Sequence, residues 1–345
     1  MALDFKKEDK KIFDKYCKKY KYYPLIFPAH KRIIAIGDLH GDYNLTINAF
    51  KLAKLIDDNN KWIGGDTYVV QTGDQLDGYR PLIYKSTNKG GSMNDNIPED
   101  IKVLQLMTDL NEQAMEKGGL VISLFGNHEI MNVVGDMRYV SSQDIQKFKN
   151  YKDTKDPLDA RRCAFVPGSE FANLMACTRI PAVIIGSFIF VHAGLIDQFL
   201  KMLNIKDRND LYKISYFMRK WLLGLIDKNY VSEIVGSKES LFWDRILGSI
   251  PPNMNNNHPK CVEYLDDVLK LFKVDKMIIG HTPQYFINQS GINKTCDDKL
   301  WRIDFGGSFA FDNFDMDYIK THNKNKLRNV QVLEILDDKI INIIK

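Results

Sequence analysis

Short apolar runs that break off in polar, glycine-containing loops recur along this chain. The segment KRIIAIGD (31–38) is β-branched and apolar up to its Gly-Asp end, which predicts a buried strand running into a loop. The same pattern returns in TYVVQTGD (67–74), GLVISLFGNHE (119–129), FIFVHAG (188–194) and KMIIGHT (276–282). Helical patterning over 44–56 and 99–116 separates them. Strands alternating with helices, with loops at the strand C-termini, predict an α/β protein. LWRIDFGG (300–307) predicts a further strand, and RNVQVLEILDDKIINIIK (328–345) a hairpin turning at Asp337-Asp338.

Residues 7–20 are charged and amphipathic and predict a surface helix. Residues 85–98 (KSTNKGGSMNDNIP) and 249–259 (SIPPNMNNNHP) lack apolar period and hold Gly, Asn and Pro, so both predict loops. The first follows GDQLD and is expected to lie over any pocket there. No composition shift or internal repeat divides the chain. We therefore expect one catalytic domain over 31–345, behind an N-terminal helical extension over 1–30.

The 345 residues are 44% hydrophobic and 27% charged, the balance of a soluble globular protein. A formal net charge of +4 is too mild to single out a nucleic-acid partner, and KTHNKNKLRN (320–329) reads as solvated surface. No run approaches the ~20 apolar residues of a membrane span, and the charged opening residues do not read as a secretory signal. The five cysteines are scattered and never form a C-x-x-C pair. They argue against a disulfide framework or a thiolate zinc cage and fit a reducing compartment, the cytoplasm.

The strand ends carry the chemistry. They hold Asp38 and His40 in GDLHGD, Asp74 and Asp77 in GDQLD, Asn127 and His128 in GNHE, His192 in VHAG, and His281 in GHT. Of the 7 histidines, only His30, His258 and His322 lie elsewhere, in ordinary polar surroundings. Carboxylate, imidazole and amide oxygen without cysteine suit Mn, Fe or Zn better than a structural zinc site. Two such divalent ions about 3.5–4 Å apart can share one carboxylate and one hydroxide, lower the pKa of water and polarise phosphoryl oxygens.

The ordered set GDxHG, GDxxD, GNHE, H(A/G)G and GHT, spanning about 31–310, resembles the calcineurin-like metallophosphoesterases, in their phosphoprotein phosphatase branch. GNHEIMNVVGDMRYV (126–140) looks most like the bacterial-type Shewanella-like phosphatases. The resemblance implies a β-sandwich of two mixed sheets flanked by helices, a dimetal site at the strand ends, and phosphomonoester hydrolysis by a metal-bridging hydroxide. Motif by motif, it implies that Asp38 and His40 bind the first ion, Asp74 bridges, and Asn127, His192 and His281 complete the second. His128 would protonate the leaving group. Asp77 would orient it and, as a carboxylate, raise the imidazole pKa. Arg245 in LFWDR (241–245) would clamp phosphate, since its planar fork matches two oxygens.

One departure stands out. The family's GDxxD is usually followed by Arg-Gly, whereas GDQLDGYR places Gly78 at the arginine position. Either Arg80 or Arg138 is then expected to take the phosphate. RIDFGGSFAFD (302–312) stands where eukaryotic Ser/Thr enzymes carry a different loop. A phosphoprotein is the first expected substrate, with Ser/Thr and Tyr both open. A small phosphoester or dinucleoside polyphosphate is the second, and an inactive binding module the third. Cys296 and Arg302 match the C-x5-R spacing of cysteine-dependent phosphatases, but two aspartates beside the sulfur would raise the thiol pKa and repel phosphate. The oligomeric state is left open.

Overall fold

Ile33, Ile34, Ala35 and Ile36 are all buried, so the first apolar run is a strand covered on both faces. The structure, a computed structural model, describes residues 3–81 and 99–345. Around that run, β2 (Arg32–Ile36), a six-stranded sheet forms in the order β12-β11-β2-β3-β4-β5. It uses β3 (Tyr68–Gln71), β4 (Leu120–Leu124) and β5 (Arg179–Ile180) in parallel, with β11 (Val332–Leu336) and β12 (Ile340–Ile344) antiparallel at the other side. The second six-stranded sheet runs β1-β6-β7-β8-β10-β9. Its strands are β1 (Ile26–Phe27), β6 (Ala182–Ile185), β7 (Phe188–Val191), β8 (Lys276–Ile279), β9 (Asn293–Thr295) and β10 (Leu300–Arg302). Within it β7, β8 and β10 are mutually parallel, β6 is antiparallel to β7 and parallel to β1, and β9 is antiparallel to β10. Both sheets are therefore mixed, and one continuous apolar cluster joins them, as the expected sandwich requires.

Helix α1 (Phe5–Tyr16) starts on an Asp4 cap, whose carboxylate accepts the Lys7 N–H at 3.1 Å. It lies on the helix Leu211–Leu222, with Phe5 against the Tyr216 and Phe217 rings and Asp9 paired with Arg219 at 2.8 Å. Helix α2 (Tyr43–Leu52) is shorter than its apolar pattern suggested. Asp42 caps its start and the chain turns at Lys54, at φ 56°, into the bridge Ile56–Trp62. Helix α3 (Glu99–Glu116) packs on β4. The expected loop at 85–98 lies outside the described residues. The hairpin turns at Asp337 and Asp338, both at positive φ, as the sequence predicted.

The cysteines overturn their reading. Cys17 is bonded to Cys177, with Cα atoms 5.3 Å apart, and Cys261 to Cys296, at 5.7 Å. The sequence separations are 160 and 35, so no local motif marks either pair. Only Cys163 is free. With four of the five sulfurs paired, the cysteine argument for a reducing compartment falls. Among the described residues no helix is long and apolar enough to cross a membrane.

Candidate metal centre

The loops after β2, β3 and β4 of one sheet meet the loops after β7, β8 and β10 of the other. Backbone bonds zip the first two together: the Asp74 carbonyl accepts the N–H groups of Leu39 and His40, and the Gln75 carbonyl that of Gly41. Gly73, at φ 98°, and Gly126 let the loops after β3 and β4 touch, because a Cβ on either would run into the other loop. His40, Asp74, Asp77 and His281 all sit at positive φ, an uncommon backbone for residues with a side chain. Four such residues at one place mark a site where the chain is held against its local preference.

Among the described residues, two groups could each hold a metal ion. His40, Asp74 and His128 form one, and Asp74, His192 and His281 the other, with Asp74 common to both. In the second, Nδ1 of His192 is 2.7 Å from the Thr72 carbonyl, so that nitrogen carries the hydrogen and Nε2 turns its lone pair into the site. Around this Nε2 lie Asn127 Oδ1 at 3.0 Å, His281 Nδ1 at 3.1 Å and Asp74 Oδ1 at 3.4 Å. In the first, His40 Nε2 stands 3.9 Å from both Asp38 Oδ2 and Asp74 Oδ2. Both oxygens of Asp38 also accept the His281 N–H, at 3.1 and 3.0 Å.

His128 and Asp77 pair as expected, Nδ1 to Oδ2 at 2.7 Å. The electrostatics differ from the expectation. Burial pushes Asp77 up to about 7, and burial pushes His128 down to about 3, outweighing the nearby Asp74 charge. The carboxylate contact therefore fixes the ring without keeping it charged. Burial likewise lowers His40, His192 and His281 and raises Asp38, whose neighbours Asp304 and Asp74 add to the effect.

Arg80 is the arginine that enters the centre. Its Nη2 lies 2.8 Å from His40 Nδ1, 3.0 Å from His40 Nε2 and 3.4 Å from His128 Nε2. Nη1 donates to the carbonyls of Asp77 and Tyr79, and the Tyr139 and Phe311 rings flank the guanidinium at 5.2 and 4.8 Å. Gly78 leaves room for this, since a Cβ there would press on Phe309. Arg138 does not reach the centre: it is on the surface, held by two contacts of 2.8 and 2.6 Å to Asp136. Arg245 is exposed and donates through Nη1 to the His281 carbonyl at 3.4 Å, beside the second ligand group.

Three groups escaped the sequence reading. Glu129 is buried and accepts four backbone N–H groups, from Asp74, Gln75, Leu76 and Gly126, at 2.7 to 3.1 Å. Its place as the third residue of α4 (Asn127–Val133), opposite the Gly126 cap, is the signal that could have found it. Asn132 donates to the second oxygen of Asp77 at 2.8 Å and is held in turn by buried Arg161, which pairs with Asp100 at 2.6 Å. Asp304 is buried just after β10, in a segment the sequence offered as a strand and as a replaced loop but not as part of the site.

The residues fit a pair of divalent cations. Lone pairs of imidazole, carboxylate and amide oxygen converge around Asp74, with the Arg80 guanidinium beside His40 and His128. Among the described residues, His281 Nε2 and Asp304 Oδ2 are buried atoms that find no hydrogen-bond partner. A bound cation would offset the negative charge of the buried Asp38, Asp74 and Asp304 carboxylates.

A two-sheet sandwich with this oxygen and nitrogen ligand set defines a metal-dependent phosphoric ester hydrolase. The sequence profile of the calcineurin-like phosphoesterases matches residues 31–285, and the chain belongs to that family, whose members depend on two metal ions. An uncharacterised mimivirus protein, R398, is 39% identical over 251 residues, 68% of this chain and 96% of that one. Shewanella-like protein phosphatase 2 of Arabidopsis thaliana is 30% identical over 318 residues, 82% of this chain and 73% of that one. The crystal structure of a cold-active protein-tyrosine phosphatase of a psychrophilic Shewanella superposes with a TM-score of 0.65 at 20% identity, covering 97% of this chain and 84% of that one. The resemblance to Shewanella-like phosphatases is thus shared by sequence and fold.

Proposed function

We propose that this protein removes phosphate from phosphoproteins, with phosphotyrosine its preferred side chain. The observation that carries the reading is Arg80, lodged between His40 and His128 with the Tyr139 and Phe311 rings on its flanks. A guanidinium there meets phosphoryl oxygens, and the rings beside it offer faces for an aryl ester. Two divalent ions, when bound, supply Lewis acidity to the phosphoryl group and activate water. Asp38 and His40 would hold one, Asn127, His192 and His281 the other, and Asp74 both. Arg80, beside His40 and His128, and Arg245, beside His281, would orient the phosphate. His128 is fixed through Nδ1 by Asp77 and turns Nε2 to the centre; with the Asp77 carboxyl protonated and donating to Nδ1, the neutral ring carries on Nε2 the proton that the departing oxygen takes up.

The test is a panel of phosphotyrosine, phosphoserine and phosphothreonine peptides with small phosphoesters, assayed with Mn²⁺ after chelation. The reading expects the highest kcat/KM on phosphotyrosine. Activity confined to small esters would move the protein to small-molecule hydrolysis. Metal uptake without any turnover would make it a binding module.

A further inference from the structure

We infer that Asp304 is a third carboxylate of the cation site built on Asp38 and His40, facing that ion through Oδ2. The inference rests on the dimetal reading above and adds a residue to it.

Strand pairing brings the residue there. Strand β10 runs parallel to β8 with Arg302 opposite Ile279, and the Ile303 N–H continues the ladder onto the Ile279 carbonyl at 2.8 Å. Two residues beyond the paired positions come His281 and Asp304. The second sheet thus ends three adjacent parallel strands in His192, His281 and Asp304, just as the first ends three in the GDLHGD, GDQLD and GNHE loops. Gly37, which precedes Asp38, lies directly against this chain. A Cβ on it would strike the Ile303 carbonyl and stand 3.1 Å from the Asp304 Cα.

The loop is fixed. The Asp304 carbonyl accepts the Gln284 N–H at 2.8 Å, and buried Arg328 holds the carbonyls of Gly306 and Ser308 at 2.7 and 2.8 Å. Within it, Asp304 Oδ1 accepts the Gly306 N–H at 2.9 Å, while Oδ2 is buried with no partner. The residue is 2% exposed, so bulk solvent does not reach that oxygen. A carboxylate oxygen left this way carries a desolvation cost that a donor or a cation offsets. Among the described residues no hydrogen-bond donor reaches it, and a cation there would offset the negative charge of the Asp38 and Asp74 carboxylates. The oxygen meets the ion either directly or through a water molecule on it.

The experiment is equilibrium binding of Mn²⁺ to the full chain, read as free Mn²⁺ by electron paramagnetic resonance, without turnover. Asp304→Asn keeps the shape and the Gly306 contact. If it does not fold, Asp304→Ser, whose hydroxyl still accepts from Gly306, carries the test. The parent is expected to take up two ions. The variant should bind one of them about 10–100-fold more weakly, the scale for a lost supporting ligand, and leave the other unchanged. His192→Ala should weaken the opposite ion. Two ions bound by the Asp304 variant as tightly as by the parent would overturn the inference and leave the proposed function standing. A parent that takes up no Mn²⁺ would overturn both.

Discussion

The carboxylate of Glu129 accepts the backbone N–H of Asp74 at 2.9 Å, and so holds the shared ligand of both cation groups from behind. The same side chain takes three more N–H groups, from Gln75, Leu76 and Gly126. GNHE is therefore a two-sided motif. Asn127 and His128 face the centre, and Glu129 ties the β3 and β4 loops together.

Glu129→Gln turns an amide hydrogen toward a cluster of donors. We expect a loss of about 2–3 kcal/mol of stability, from weakened charged hydrogen bonds. Urea unfolding of the metal-free protein checks this. An unchanged midpoint would show that the loops hold without the carboxylate.

Asp74→Asn removes the charge shared by both groups while keeping the shape. The expected result is a fall in kcat of at least about 10²-fold, the scale of one lost preorganised electrostatic contact. Circular dichroism should show the fold intact. A near-normal rate in a folded variant would remove Asp74 from the bridging position.

For His128, the leaving group is the probe. His128→Asn should lower kcat by about 10²–10⁴-fold on an alkyl phosphate, which needs a proton, and far less on p-nitrophenyl phosphate, which does not. Asp77→Asn should act in the same direction with a smaller loss. Equal losses on both esters would show that the ring does not protonate the leaving oxygen.

Asp144 lies away from the centre, beside Asp100 and Ser141, and burial pushes it from 3.8 up to about 7. The folded protein then binds more protons than the unfolded chain between about pH 4 and pH 7, so this group's contribution to stability is present at low pH and fades as pH rises through 7. Other buried carboxylates act in the same window, so the comparison isolates it. Asp144→Asn should lose less Tm than the parent between pH 5 and pH 7.5. Parallel curves would place the Asp144 pKa at its ordinary value.

The two disulfides close loops of 160 and 35 residues. Chain entropy assigns them about 5 and about 4 kcal/mol. Cys17→Ser should therefore lower Tm at least as much as Cys261→Ser, and a thiol reductant should do so only for proteins that keep a disulfide. An equal Tm with and without reductant would show that neither bond forms in solution.

Much of the centre was legible in the sequence because each ligand closes a β-branched strand, and strand ends converge wherever parallel strands share an edge. The loop glycines marked the same places. What stayed hidden depends on contacts between distant segments. Asn132 and Arg161 matter only because a helix brings them behind Asp77, and no spacing announces that. Arg80 and Arg138 looked alike in sequence and were separated by Asp136, which holds one at the surface. The cysteines failed for the same reason, since their partners meet only in three dimensions. The pKa of His128 went the other way because burial was not visible from an adjacent carboxylate.

The position of β2 has a consequence for how the protein is made. This strand carries the loop of Asp38 and His40, and it lies between β3 and β11, with Ile33 opposite Tyr68 on one side and Ile335 on the other. During vectorial synthesis β3 leaves the ribosome soon after β2, whereas β11 follows only after almost everything else. Until then β2 is an open apolar edge, and a nascent chain so arranged invites pairing with the wrong strand or a chaperone's attention. The first metal loop is translated early and completed late.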